Sequence, residues 1–386
     1  MKFTSVWFAR VYVLAVLAGF LALTLLLHLP HGPQHWSADW TTAHFSQRPG
    51  VQDKRIALVL ISDTTLSAAK IPYLSPIDRG LLARVVQTVD KAGAKVIGLD
   101  IILDRHTELD KDEKLRQAIQ TANATVVVAA IDEPPSSARV QSDFFFSKAE
   151  GRRPEVGHAY FDEHHSPTQV SGHVVRLMAA PSQINSDRKS FAETLAQAAG
   201  EHFRPVSHYI SWLLPPKDGT ENFLTLSAED VLGLGPLKLP VDDLLRNKIV
   251  IIGGNFDDRD QHLTPLSVGT DRHFTGASIH AQILAQLLDH RSLRELGLVA
   301  QGLLALIAAL TGYWLGQRSG HNHLWLELAT VAGFVLIGIL SFKFLDVIFP
   351  YNTVLIACLA GGTMGHYAKI KWKSVPQKTN ATLDPI

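Results

Sequence analysis

Cysteine is all but missing from this chain: Cys358 is the single one among 386 residues. No intrachain disulfide can form, so buried apolar surface must hold the fold, and a chain of this length has enough of it. An excess of either charge is missing too. The 36 Lys and Arg balance 36 Asp and Glu, and the one basic cluster is Lys369, Lys371 and Lys373. Nucleic acid is therefore not an expected partner, because binding it requires a concentrated positive surface. Absent as well are a glycine-rich phosphate loop, the His-Arg-Asp and Asp-Phe-Gly signatures of kinases, a Gly-x-Ser-x-Gly elbow and a His-Glu-x-x-His helix. Internal repeats and long low-complexity tracts are lacking. No catalytic residue, metal or cofactor is expected.

Long apolar runs, by contrast, are present and unevenly placed. Val11–Leu29 carries no charge and exceeds the roughly eighteen residues that mark a membrane-spanning helix. Three more lie at Leu298–Leu315, Leu324–Phe342 and Pro350–Met364. Lys2 and Arg10 precede the first, Arg318 separates the second from the third, and the lysine cluster follows the fourth. Positive charge stays inside, which puts both termini in the cytoplasm. The expected organisation is a cytoplasmic N-terminus (1–10), a span (11–29), an extracytoplasmic domain (30–296), spans at 298–315, 324–342 and 350–366, and a short tail. A cleaved signal peptide fits the first run less well. Its apolar core is long, and His28-Leu29-Pro30-His31 offers no small-residue cleavage site.

Between the runs, strands and helices alternate, so the expected fold is an α/β domain with a mostly parallel or mixed sheet plus a helical membrane region of four spans. Arg55–Ser62 is a continuous, β-branched-rich run suited to a strand buried on both faces. Asp78 is placed to cap a helix through Lys91 with a stripe of Leu81, Leu82, Val85, Val86 and Val89, and Gly93 ends it. Lys95–Ile101 is a second strand, and the crossover between the two should be right-handed. A polar helix over 110–122 and a strand over 124–131 follow. The segment 132–181 is harder to read, with hairpin pieces expected around Gly172. Later come a helix over 190–199, a strand over 248–253 and a helix over 276–288.

Carboxylates cluster after these strands. Asp63 follows the first, Asp100 ends the second, Asp132 follows the third, and Asn255, Asp257, Asp258 and Asp260 follow the late one. In open parallel sheets ligands bind outside the carboxyl ends of the strands. Gathered there, carboxylates could hold a cation or recognise amines or hydroxyls. Taken singly, each aspartate more commonly caps a turn. His158, His164, His165 and His173 lack metal-ligand spacing and read as solvated loop residues.

Several of these segments together resemble the CHASE2 family of bacterial extracytoplasmic sensory domains. They are Ile56–Asp63, Ser75-Pro-Ile-Asp-Arg79, Gly93–Ile101 with Asp100, Gly172-His-Val-Val-Arg176, Asn247–Gly254, Asp257–Pro265 and Gly276-Ala-Ser-Ile-His-Ala281. Their order, and one span before the domain with three after it, agree with the family layout. The candidate ligand-binding residues are then Asp63, Arg79, Asp100, Asp257, Asp260, Thr264 and His280. Two features depart from the family. Pro72-Tyr73 stands near the position of its usual tryptophan, and the residues after Lys369 are too few for the kinase or cyclase that the domain ordinarily serves.

The resemblance therefore implies a stand-alone sensor in the bacterial inner membrane, its domain on the periplasmic side, relaying a signal to a separate membrane or envelope protein. Two rivals stand beside it. One is an envelope assembly protein without a small ligand. The other is a metal-dependent hydrolase built on Asp63, Asp100, Asp257 and Asp260, with Thr264 or His280 assisting. The lipid bilayer is an expected partner. Gly312-x-x-x-Gly316 and Gly361-x-x-x-Gly365 favour close helix packing, within the chain or between copies of it.

Overall fold

The computed structural model describes residues 34–72, 75–103, 105–130, 153–165, 173–178, 189–202, 208–256, 260–270, 272–318 and 323–373. The chain divides into two compact units, one over residues 42–165 and 171–294, the other dominated by 295–386. The expected first span (11–29), Asp132, Gly172 and Asp257 lie outside the described residues.

The first unit runs β1 (Asp53–Ile61), α1 (Arg79–Lys91), β2 (Val96–Asp100), α2 (Leu109–Thr121), β3 (Thr125–Ala130) and β4 (Glu155–His158). It continues through the antiparallel hairpin β5 (Phe161–His165) and β6 (His173–Met178), then α3 (Phe191–Ala198), β7 (Phe223–Ser227) and β8 (Ile249–Gly254). The small ladder of β9 (Gln261–His262) and β10 (Phe274–Thr275) precedes α4 (Gly276–Leu288). Six strands form one sheet in the order β4-β3-β2-β8-β1-β7, with every pair parallel. The α/β reading and most element boundaries hold to within a residue or two.

Why the sheet is central follows from its residues. β8 is buried at all six positions, as a strand covered on both faces must be. Its side chains alternate between two cores. Val250 and Ile252 join Leu81, Leu82, Val85 and Leu115 beneath α1 and α2, while Ile249 and Ile251 join Phe191, Leu195 and Ile283 beneath α3 and α4. Asp78 caps α1, its carboxylate accepting from Leu81 N at 2.8 Å, and also receives Lys111 Nζ of α2 at 2.8 Å.

α4 is apolar nearly all round, and its two buried glutamines resolve what would be unsatisfied backbone. Gln282 Oε1 accepts from Leu213 N at 3.0 Å, and Gln286 Oε1 accepts from Ser211 N at 2.7 Å. Gln286 Nε2 donates back to Tyr209 O at 3.1 Å. The extended segment beside α4 is thereby stitched to it without belonging to the sheet.

The second unit contains α5 (Leu298–Gln317), α6 (His323–Leu345) and α7 (Tyr351–Lys373). Among the described residues two helices are long and apolar enough to cross a membrane, Leu298–Gln317 and Trp325–Leu345. The expected fourth span is helical, but Asn352, Thr353, Thr363, His366 and the lysines make it too polar to meet the same measure. α5 and α7 meet through their glycines. A Cβ on Gly312 would run into the Cys358 carbonyl and one on Gly316 into that of Gly362, while Gly361 and Gly365 abut the carbonyls of Ala309 and Tyr313. Both small-residue motifs are thus used within the chain, backbone against backbone.

Candidate functional site

The carboxyl ends of β2 and β8 lie side by side, with Asp100 paired in register with Gly253. The chain winds outward from β2 through β3 to β4, then returns to insert β8 between β1 and β2. A reversal of this kind leaves a crevice at the strand ends, where open α/β sheets hold ligands. Gly253 is needed there. A Cβ at that position would sit 2.6 Å from the Ala277 Cβ, so only glycine lets the first turn of α4 settle on the strand ends.

Asp260 anchors that turn from outside. Its φ of 56° is left-handed, which aspartate tolerates better than most residues. Its carboxylate accepts from Gly276 N, the first residue of α4, at 3.3 Å and lies 3.1 Å from His262 Nε2. A carboxylate at a helix N-terminus is electrostatically favoured. The result is a cavity of about 580 Å³ over the strand ends. Its polar lining is Ser75, Asp100, Tyr160, Asp260, His262 and His280, set among apolar walls that include Ile77, Ile102, Phe161 and Phe256.

The two innermost polar groups are unusual. The Asp100 side chain is only 10 % exposed and makes no hydrogen bond among the described residues. Its closest polar neighbour is His280 Nε2 at 3.7 Å, beyond hydrogen-bonding reach. Burial pushes the Asp100 carboxyl up to about 8; the negative charge of Asp260 adds to this and His262 partly offsets it. His280 is 3 % exposed, with its ring 4.5 Å from that of Phe161 and 5.0 Å edge-on to Phe191. Burial lowers it to about 3, with His158 and His262 contributing. Near neutral pH the floor of the cavity is therefore a carboxylic acid beside a neutral imidazole.

Three of the seven candidate residues come together here: Asp100, Asp260 and His280. The other described ones do not line the cavity. Asp63 is exposed in the first turn of a short helix, Asp63–Ala68, whose cap is Ser62. Arg79, the first residue of α1, is buried with its Nε 3.9 Å from the buried Asp112 Oδ1 of α2. Thr264 caps the turn Pro265–Ser267, accepting from Leu266 N at 3.2 Å. Of the carboxylates proposed for a metal-dependent hydrolase, Asp100 and Asp260 meet at the cavity and Asp63 does not, and among the described residues no group of three or more His, Cys, Asp or Glu could hold a metal ion.

Sequence reasoning missed His262, Phe161 and Phe256. His262 sits inside the motif Asp257–Pro265, so its signal was present. Phe161 follows β4 in the segment where the pattern was unreadable, and nothing local marks it.

A family model described as CHASE2 domain matches residues 12–314. No curated protein and no solved structure matches the chain.

Proposed function

The chain belongs to the CHASE2 family of extracytoplasmic sensory domains, and from that premise we propose that it is a membrane-anchored sensor whose ligand enters the cavity over β2 and β8. Anchoring is by four spans in the bacterial inner membrane, with both termini cytoplasmic and the α/β unit in the periplasm. The state of the cavity passes to a separate membrane or envelope protein. One observation carries this reading: Gly276 and His280 of α4 line the cavity opposite Asp100. α4 is also the last helix before the apolar segment, joined to α5 by residues 289–297. A ligand that draws on Asp100 and His280 therefore acts on the element nearest in sequence to the membrane helices. The family is a sensory rather than a catalytic one, in keeping with a site whose groups are arranged to bind.

The test is thermal unfolding of the full chain in nanodiscs, screened against fractionated small-molecule extract, for wild type and His280→Leu. A ligand bound only by the native state raises the midpoint in proportion to its concentration. Fractions that stabilise the wild type and not the variant are expected. If no fraction shifts a well-folded wild type, small-molecule sensing is wrong and a protein contact takes its place.

A further inference from the structure

Resting on the sensory reading of this cavity, we infer that its ligand is a small organic ammonium: a primary or secondary amine, singly charged, carried on an apolar body. Among the described residues the lining holds two carboxylates, Asp100 and Asp260, and neither Lys nor Arg. An anion would meet repulsion from both, which disfavours carboxylates and phosphates as ligands. A bare divalent cation needs more oxygen ligands than are gathered there. An ammonium needs only an acceptor and a carboxylate, and both are waiting. Asp100 has no hydrogen bond among the described residues, and neutral His280 offers a ring lone pair beside it. Phe161, Phe256, Ile77 and Ile102 supply apolar and aromatic walls for the body of the ligand, and a ring face attracts a cation as well. Asp260, with 40 % of its side chain exposed, stands at the mouth beside His262 and draws cations in from solvent.

Binding in this form moves a proton. The amine enters protonated and Asp100 must ionise to pair with it, so the carboxyl proton passes to bulk water. The groups that set this ionisation are Asp260 and His262 at the rim, His280 on α4 and His158 at the end of β4. Burial and the negative charge of Asp260 outweigh the offset from His262, so Asp100 keeps its proton until a cation arrives. Amine binding should therefore strengthen as pH rises toward about 8.

The experiment is calorimetric titration of the full chain in nanodiscs with phenethylamine, 2-phenylethanol and phenylacetate, which share a body and differ in charge. Phenethylamine is expected to bind about 50-fold tighter at pH 8 than at pH 6, following the ionised fraction of Asp100 while the amine stays charged. Titrations in buffers of different ionisation enthalpy should show ~0.9 proton released at pH 7. Asp100→Asn should abolish the pH dependence and weaken binding by about tenfold or more. Asp260→Asn, which removes the charge at the mouth, should weaken it by roughly threefold. Amine binding that ignores pH, or an alcohol that binds as well as the amine, overturns the assignment. Binding of phenylacetate, or failure of all three probes, overturns it too. The extract screen with His280→Leu decides the sensory role separately, so the two ideas fail independently.

Discussion

Replacing Asp100 with asparagine should change how stability depends on pH, and in a direction that few carboxylate substitutions share. In the folded chain Asp100 holds its proton up to about 8, whereas in the unfolded chain it releases it near 3.9. Between those values the native state carries the extra proton, so stability falls as pH rises. His280 acts oppositely. Its folded value is about 3 against roughly 6.5 when unfolded, so its contribution grows as pH rises through that range and is complete above it. The two slopes cancel from about pH 4 to 6.5, and Asp100 acts alone from about 6.5 to 8. At ~1.4 kcal/mol per pH unit the ceiling over that last interval is about 2 kcal/mol. Water reaching the cavity reduces it to roughly 1–2 kcal/mol, or about 2–6 °C in midpoint for a domain of this size. Asp100→Asn removes the decline above pH 6.5 and exposes the His280 slope below it, so the variant's stability rises with pH from about 4 to 6.5 and then levels off. Tryptophan-fluorescence melting of wild type and variant in detergent from pH 4.5 to 8.5 reads this directly. Parallel profiles for the two proteins, or a wild type that gains stability above pH 6.5, would refute the assignment of a buried neutral acid.

Two further outcomes test the framework around the site. Asp112→Asn removes the buried carboxylate that lies 3.9 Å from Arg79 Nε and accepts from Thr107 N and Oγ1, which should cost about 3–5 kcal/mol in chemical denaturation while leaving the cavity lining unchanged. Gly312→Val drives a branched side chain into the Cys358 carbonyl. It should weaken the α5–α7 pairing by roughly 1–3 kcal/mol, seen as earlier unfolding in a mixed-micelle titration, whereas the same change at Gly302, which faces open space, should be near neutral.

Much of the fold was legible because its signals are local. The run Ile249–Gly254 is apolar throughout since both its faces are covered, and α1 shows its stripe since one face is. The site was legible only in part. Asp100 and Asp260 were singled out by position after strands, and His280 by its motif. The same rule chose Asp63, which faces solvent, and the family resemblance chose Arg79, which is consumed by Asp112. Position after a strand says that a side chain is near the sheet's carboxyl edge. It does not say whether the side chain turns into the crevice or away from it.

What the sequence determined by itself is the alternation of elements, the mostly parallel or mixed sheet that alternation implies, the apolar helices at its end and the family to which the chain belongs. These rest on periodicity and on ordered motifs, both properties of neighbouring residues. Only the tertiary structure decided that β8 inserts between β1 and β2, that the glycine motifs of α5 and α7 meet each other, and that Asp100 is buried beside His280 with no hydrogen bond among the described residues. The physical reason is the same in each case. Which long-range pairs touch depends on how whole faces pack, and burial, which shifts Asp100 and His280 in opposite directions, exists only once that packing is complete.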